Sequence, residues 1–160
     1  MSKLYFTIGC PRCGKSTYCT KWASEKANRV VVCSDDIRMA LHGHRYIPEA
    51  ETMVFGIKHV MIRSHLARGF DVIVDGTHST KISVQRLLEI DPNATPIFIN
   101  VPADECKRRA TATNKPDLHP VIDRIYKQIS NINDIGVEQY IDDILLEIKD
   151  RGLYESERTK

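Results

Sequence analysis

The chain has no stretch of eighteen or so consecutive apolar residues, so no membrane span is expected from it, and its amino end lacks the basic-then-apolar layout of a signal peptide. It has no internal repeat and no low-complexity tract. Only 7% of its residues are aromatic, with a single tryptophan, and the formal net charge of +2 is close to balance. Gross electrostatics therefore neither demands nor forbids a nucleic-acid partner, and any such contact must be local. Five cysteines, an odd number without the spacing of a disulfide framework, fit a reducing compartment. These absences predict a soluble, cytoplasmic protein with no membrane partner; they leave its oligomeric state open.

What is present suits a single domain. With 160 residues, 42% of them hydrophobic, the chain can bury one sizeable core but has little room for a second. Apolar, β-branched runs recur at residues 3–8, 29–34, 70–75 and 95–100, each followed by a helical pattern. The fold class is α/β: a parallel sheet of four to five strands with helices on both faces, and ligands at the carboxyl ends of the strands. Helices are predicted from about Lys15 to Ala27, from Pro48 through Ala67 with Gly69 closing it, from Pro102 to about Ala112, and near 119–132 and 137–150. Met53, Ile57, Val60 and Met61 are the expected apolar stripe of the second of these. The domain is expected to span 1–150, with 151–160 a frayed, charged carboxyl-terminal tail.

Directly after the first predicted strand stand Gly9, Cys10, Pro11, Arg12, Cys13, Gly14, Lys15, Ser16 and Thr17. The first eight spell G-x-x-x-x-G-K-S, the loop that cradles nucleotide phosphates. Glycines let such a loop curl and aim successive N–H groups at phosphate oxygens. Lys15 is placed for the β- and γ-phosphates, Ser16 for Mg²⁺, and the helix that begins there points its positive dipole end at the same charge. The expected ligands are a nucleoside triphosphate, ATP first, and Mg²⁺.

Cys10 and Cys13 also form a C-x-x-C. Zinc would need a second ligand pair, whereas Cys19, Cys33 and Cys106 are scattered and His42 and His44 lie far along the chain. A redox reading survives, in which a Cys10–Cys13 disulfide deforms the phosphate loop.

The second strand ends in Ser34-Asp35-Asp36-Ile37-Arg38, at the same sheet edge as the loop. Phosphoryl transfer needs a carboxylate to orient and deprotonate the attacking hydroxyl, and Asp35 lies nearest the strand end. Asp36 or Ser34 is then the expected helix cap. Asp75 ends the third strand, where a carboxylate can join a Mg²⁺ shell; Gly76-Thr77-His78 follow, with His78 read as a loop residue or acceptor contact. Local basic sources are Arg38 with Arg45, and Lys107-Arg108-Arg109, although such runs are often solvated helix faces.

The two motifs together, Gly9 to Thr17 and Ser34 to Arg38, resemble the kinase domain of phage-type 5′-polynucleotide kinases, within the small P-loop kinases. A weaker similarity runs through Val72-Ile73-Val74-Asp75 and Val101-Pro102 to about Tyr126. The resemblance implies a P-loop kinase fold with a helical lid at about 103–120 and transfer of the ATP γ-phosphate to the 5′-hydroxyl of a DNA or RNA end. It makes Lys15, Asp35, Arg38 and Arg109 the catalytic group, with Asp35 the general base and Arg38 meeting an acceptor phosphate. Ser16 and Asp75 would face the Mg²⁺. It is compatible with a phage-encoded enzyme working in a host cytoplasm.

The lid departs from the family. Arg109 fits the first of two arginines about four residues apart, but Thr113 stands at the second, near Asn114 and Lys115. Arg108, Arg109 or Lys115 must compensate, or the enzyme is slow or takes another acceptor. Two alternatives stand beside the leading one. The first is the same chemistry on a modified base, a nucleoside or another small molecule. The second is a nucleotide-binding switch or toxin-related module without efficient transfer, which Asn114-Lys115-Pro116-Asp117 suggests by matching the base-reading N-K-x-D.

Overall fold

The computed structural model describes residues 1–43 and 46–158, with side chains described through residue 152. Four strands, β1 (Leu4–Ile8), β2 (Arg29–Cys33), β3 (Asp71–Asp75) and β4 (Thr95–Phe98), form one sheet in the order β2-β3-β1-β4. Every pairing is parallel. β4 pairs only with β1, and an edge strand is where Pro96, which has no N–H to give, is tolerated.

Seven α-helices surround the sheet among the described residues: α1 (Lys15–Ser24), α2 (Ser34–His42), α3 (Glu51–Ala67), α4 (Lys81–Ile90), α5 (Ala103–Ala112), α6 (His119–Ile135) and α7 (Val137–Arg158). Single 3₁₀ turns at Pro48–Ala50 and Pro116–Leu118 lead into α3 and α6. Alternate residues of β1 point to opposite faces. Leu4, Phe6 and Ile8 join Val72 and Val74 in the main core with Ile62 of α3, Val84 and Leu87 of α4, Ile122 and Ile129 of α6, and Ile144 of α7. On the other face Tyr5 meets Trp22 of α1 edge-on, with ring centroids 5.4 Å apart. Both faces of the sheet are thus covered.

Three expectations need correction. In α3 the buried apolar residues are Val54 and Ile62, with Met61 partly buried against the core, while Met53 and Val60 are exposed at 62% and 67%. The stripe was offset because Glu51 and Lys58 take space on the inward side that a count of apolar residues alone assigns elsewhere. Residues 151–158 continue α7 past its expected end near 150: a polar stretch without proline has no reason to stop a helix. Ser34 and Asp36 do not cap α2; the capping position is Cys33, which makes no side-chain bond there, and both aspartates lie in the first turn. Arg45 and His44, and residues 159 and 160, lie outside the described residues.

Candidate active site

The phosphate loop joins β1 to α1, and its two glycines serve different ends. Gly14 has φ +100° and open space around it, so conformation alone requires glycine. Gly9 has an ordinary φ, but a Cβ there would lie 2.6 Å from Cys13 Sγ and 3.0 Å from the Ile99 carbonyl oxygen. Close approach, not a left-handed turn, excludes a side chain. Arg12 also takes a positive φ, 67°. Lys15 is buried against the loop, its Nζ donating to the Cys10 carbonyl at 2.6 Å.

β3 meets the loop at its carboxyl end. Ser16 Oγ donates to Asp75 Oδ2 at 2.7 Å, which brings together the two oxygen donors expected at a magnesium ion. Hard oxygen ligands beside a phosphate loop are the donor set Mg²⁺ prefers, so these residues fit the ion. Thr7 ties the same strand ends: its hydroxyl donates to the Gly76 carbonyl at 2.8 Å and accepts from the Gly76 N–H at 3.1 Å.

His78 follows with φ 39° and is buried, its Nδ1 donating to the Thr7 carbonyl at 2.7 Å. Burial, followed by the charge of Lys58, pushes its pKa down to about 4, so the ring is neutral at pH 7. It packs edge-on to Phe6 and leaves Gly76 no room for a Cβ, which would sit 2.8 Å from the ring.

α2 carries Asp35 and Arg38 on one face, three residues apart. Arg38 Nη1 donates to Asp35 Oδ1 at 2.7 Å. Its other donors are taken by Glu51 at the start of α3, Nε to Oε1 at 2.7 Å and Nη2 to Oε2 at 2.8 Å. The guanidinium hydrogen bonds hold the Glu51 carboxyl below the usual carboxylate range and push the arginine pKa up.

Lys15 and Ser16 separate two openings. One, of about 710 Å³, is lined by Asp35, Arg38, Asp75, Tyr46, Phe55 and Lys58, among others, together with Arg12 and the loop. The second, of about 390 Å³, lies between Arg12, Gly14, Thr17, Arg109 and Thr113. Lys15, Ser16 and Arg12 line both. A site of this form has room for a phosphate donor on one side of the loop and an acceptor on the other.

A model of the AAA domain family matches residues 4–130. The chain belongs to that family. Within it the four-stranded parallel sheet has the P-loop kinase fold, as the solved structures it resembles also show. A chain of the Pnkp1/Rnl/Hen1 RNA repair complex superposes with a TM-score of 0.76 at 21% identity, over 84% of this chain and 46% of that one. This protein thus spans less than half the length of that chain. A gluconokinase from Sinorhizobium meliloti gives 0.54 at 15% identity, over 79% of this chain and 74% of its own. A shikimate kinase from Acinetobacter baumannii, in complex with shikimate, gives 0.54 at 14%, over 100% and 97%. No curated protein sequence matches.

In this AAA-domain chain helix α5 brings Arg109 to the loop, its Nη1 donating to the Arg12 carbonyl at 3.2 Å. Arg109 and Arg108 both bind Glu105, whose carboxyl they pull down to about 2. Lys107 pairs with Asp123 of α6, so the basic run 107–109 is engaged within the fold rather than presented as a free patch. Thr113 closes α5 by donating to the Arg109 carbonyl at 3.0 Å, and Asn114 turns the chain with φ 58°. The N-K-x-D letters therefore follow a helix, not a strand. Among the described residues no helix is long and apolar enough to cross a membrane.

All five cysteines are free thiols. Cys10 and Cys13 are buried, and burial, then the neighbouring Cys106 and Cys13, pushes the Cys10 pKa up to about 12. A thiol so placed is a poor nucleophile for disulfide exchange.

Sequence reasoning passed over Glu51, Lys58, Phe55 and Tyr46. A glutamate in the first turn of a helix reads as a dipole-matching residue. Only its position opposite Arg38 on α2 shows the other use.

Proposed function

We propose that the protein is an ATP- and Mg²⁺-dependent kinase that transfers the γ-phosphate to the 5′-hydroxyl of a DNA or RNA end. The observation that carries this reading is the shared pocket: Asp35 lines the same opening as Lys15, Ser16 and Asp75. Asp35 takes the proton of the acceptor hydroxyl, whose oxygen bonds to the γ-phosphorus as the bond to the bridging oxygen breaks and ADP leaves. Lys15 and Arg109 offset charge on the phosphates from opposite sides of the loop. Ser16 and Asp75 would hold Mg²⁺, which offsets the charge on the phosphate oxygens when bound.

The polymer acceptor is supported by the lining of that pocket. Cations at Arg12, Arg38 and Lys58 share the lining with the aromatic rings of Tyr46 and Phe55, a combination that suits phosphate and base together. The likeness to a chain of an RNA repair complex agrees in fold.

A second reading, transfer to a small uncharged hydroxyl compound, is favoured by one specific contact. The bidentate Glu51 pair already engages Arg38, which leaves that arginine less charge for an acceptor phosphate. Incubation with γ-labelled ATP and Mg²⁺ across 5′-hydroxyl DNA, 5′-hydroxyl RNA, nucleosides and small polyols separates the two. Label at oligonucleotide 5′ ends supports the first reading; label on small polyols alone sinks it.

A further inference from the structure

Position 12 is one that the phosphate-loop pattern leaves free, and the residue there is an arginine held at φ 67°, a conformation that suits glycine. Such a backbone persists where its surroundings hold it, and Arg109 of α5 does so by donating to the Arg12 carbonyl at 3.2 Å. Among the described residues Arg12 and Lys15 are the two cations that line both openings. Lys15 is bound back onto its loop, whereas the exposed Arg12 guanidinium makes no hydrogen bond or ion pair among the described residues. Arg12 also shares the second opening with Thr113, where the resemblance calls for an arginine. Arg108 and Lys115, the other candidates for that place, line neither opening, and Arg109 lines only the second.

We propose that Arg12 is a catalytic residue that takes the place of the arginine missing at Thr113: its guanidinium binds the γ-phosphoryl group as that group passes from the nucleotide to the acceptor. This rests on the kinase reading above and adds a residue to its machinery. The acceptor oxygen bonds to the γ-phosphorus while the bond to the bridging oxygen breaks. The electron pair of that bond leaves with ADP, and the acceptor proton goes to Asp35. Arg12 exchanges no proton. It stays charged, and its planar fork of N–H donors offsets the charge spread over the oxygens of the phosphoryl in transit. A group moving between donor and acceptor crosses the seam of the two openings, and a cation that lines both stays beside it throughout. Mounted on the loop itself, Arg12 is in place as soon as the nucleotide binds. The left-handed backbone at position 12 is then kept for the side chain it carries, since glycine would adopt it without strain.

The test compares the wild type with Arg12→Gly, a substitution that the φ at this position favours, so folding is not at stake. Calorimetry in Mg²⁺ measures binding of ADP alone and of ADP with aluminium fluoride, a mimic of the phosphoryl in transit. Steady-state transfer from ATP to a 5′-hydroxyl oligonucleotide gives kcat and the KM for ATP. Arg12→Gly should bind ADP within about threefold of the wild type and lose at least about 30-fold in affinity for the aluminium fluoride complex. Its kcat should fall by at least about 100-fold with the KM for ATP nearly unchanged. A loop that needs Arg12 only for its shape would instead lose ADP and the complex by equal factors, and that result overturns the assignment. So does an unchanged affinity for the complex. Label at 5′ ends in the wild type, with the same kcat in Arg12→Gly, removes Arg12 and leaves the kinase reading standing. The selective loss of the complex, without label at any 5′ end in the wild type, supports Arg12 and removes the polynucleotide acceptor.

Discussion

Arg38 and Glu51 face each other across α2 and α3 as a two-pronged ion pair, with both N–H···O distances below 2.9 Å. The side chains are only 17% and 10% exposed, so the pair is held where solvent screens it poorly. One arginine thereby connects the carboxylate proposed as general base to the helix that carries Lys58.

Glu51→Ala should leave Arg38 held only by Asp35 and lower kcat/KM for transfer by about 10- to 100-fold through misplacement of the base. It should also cost about 1–3 kcal/mol of stability, because an embedded arginine loses its main partner. Denaturant unfolding and steady-state kinetics on the same variant check both effects. Wild-type kinetics would show that Arg38 needs no such support.

Asp35→Ala should lower transfer by roughly 10² to 10⁴ while ATP affinity stays nearly intact, since the carboxylate acts on the acceptor and not on the nucleotide. Single-turnover transfer paired with equilibrium binding of an ATP analogue makes the comparison. A variant that turns over at the wild-type rate removes Asp35 from the base role.

Gly9→Ala should weaken nucleotide binding without any backbone strain of its own, because the new methyl would collide with Cys13 Sγ and the Ile99 carbonyl oxygen. Replacing Cys13 by alanine as well removes the closer of the two clashes and should restore part of the affinity. Additive losses in the double variant, measured by calorimetry, would mean that Cys13 is not what Gly9 makes room for.

Stability should fall as pH drops from about 6.5 toward 4. His78 has its pKa lowered to about 4 by burial, so in this window the unfolded chain takes up a proton that the folded chain refuses. The loss is about 3 kcal/mol, most of it reached by pH 4 and the last of it below that. Between pH 6.5 and 5 ordinary carboxylates contribute little, so urea unfolding of the wild type against His78→Gln in that interval separates His78 from the other histidines. A flat profile there would contradict a neutral, buried His78.

The sequence made the strand order of events along the chain legible, because each strand is a short apolar run and each carries its chemistry at its carboxyl end: Gly9, Asp35 just past Cys33, and Asp75. The Ser16–Asp75 contact follows from that, since parallel strands deliver their ends to one edge. Glu51 and Lys58 were not legible. They act on residues outside their own helix, and no local pattern distinguishes a charged side chain turned toward a pocket from one turned to solvent. The α3 stripe was misread for the same reason. A periodicity count places apolar residues inward, and here two charged residues hold inward positions, leaving Met53 and Val60 in water. The end of α7 is misplaced by composition, which reports charge but not where a helix stops.

The central claim is that one pocket joins the phosphate loop to a base that activates a nucleic-acid hydroxyl. It is tested most directly by single-turnover transfer from γ-labelled ATP to a 5′-hydroxyl oligonucleotide, with wild type and Asp35→Asn in parallel. The account predicts label at the 5′ end, dependent on Mg²⁺, and a loss of at least about 100-fold in the variant. Label that fails to reach the oligonucleotide while a small hydroxyl compound is phosphorylated would contradict it.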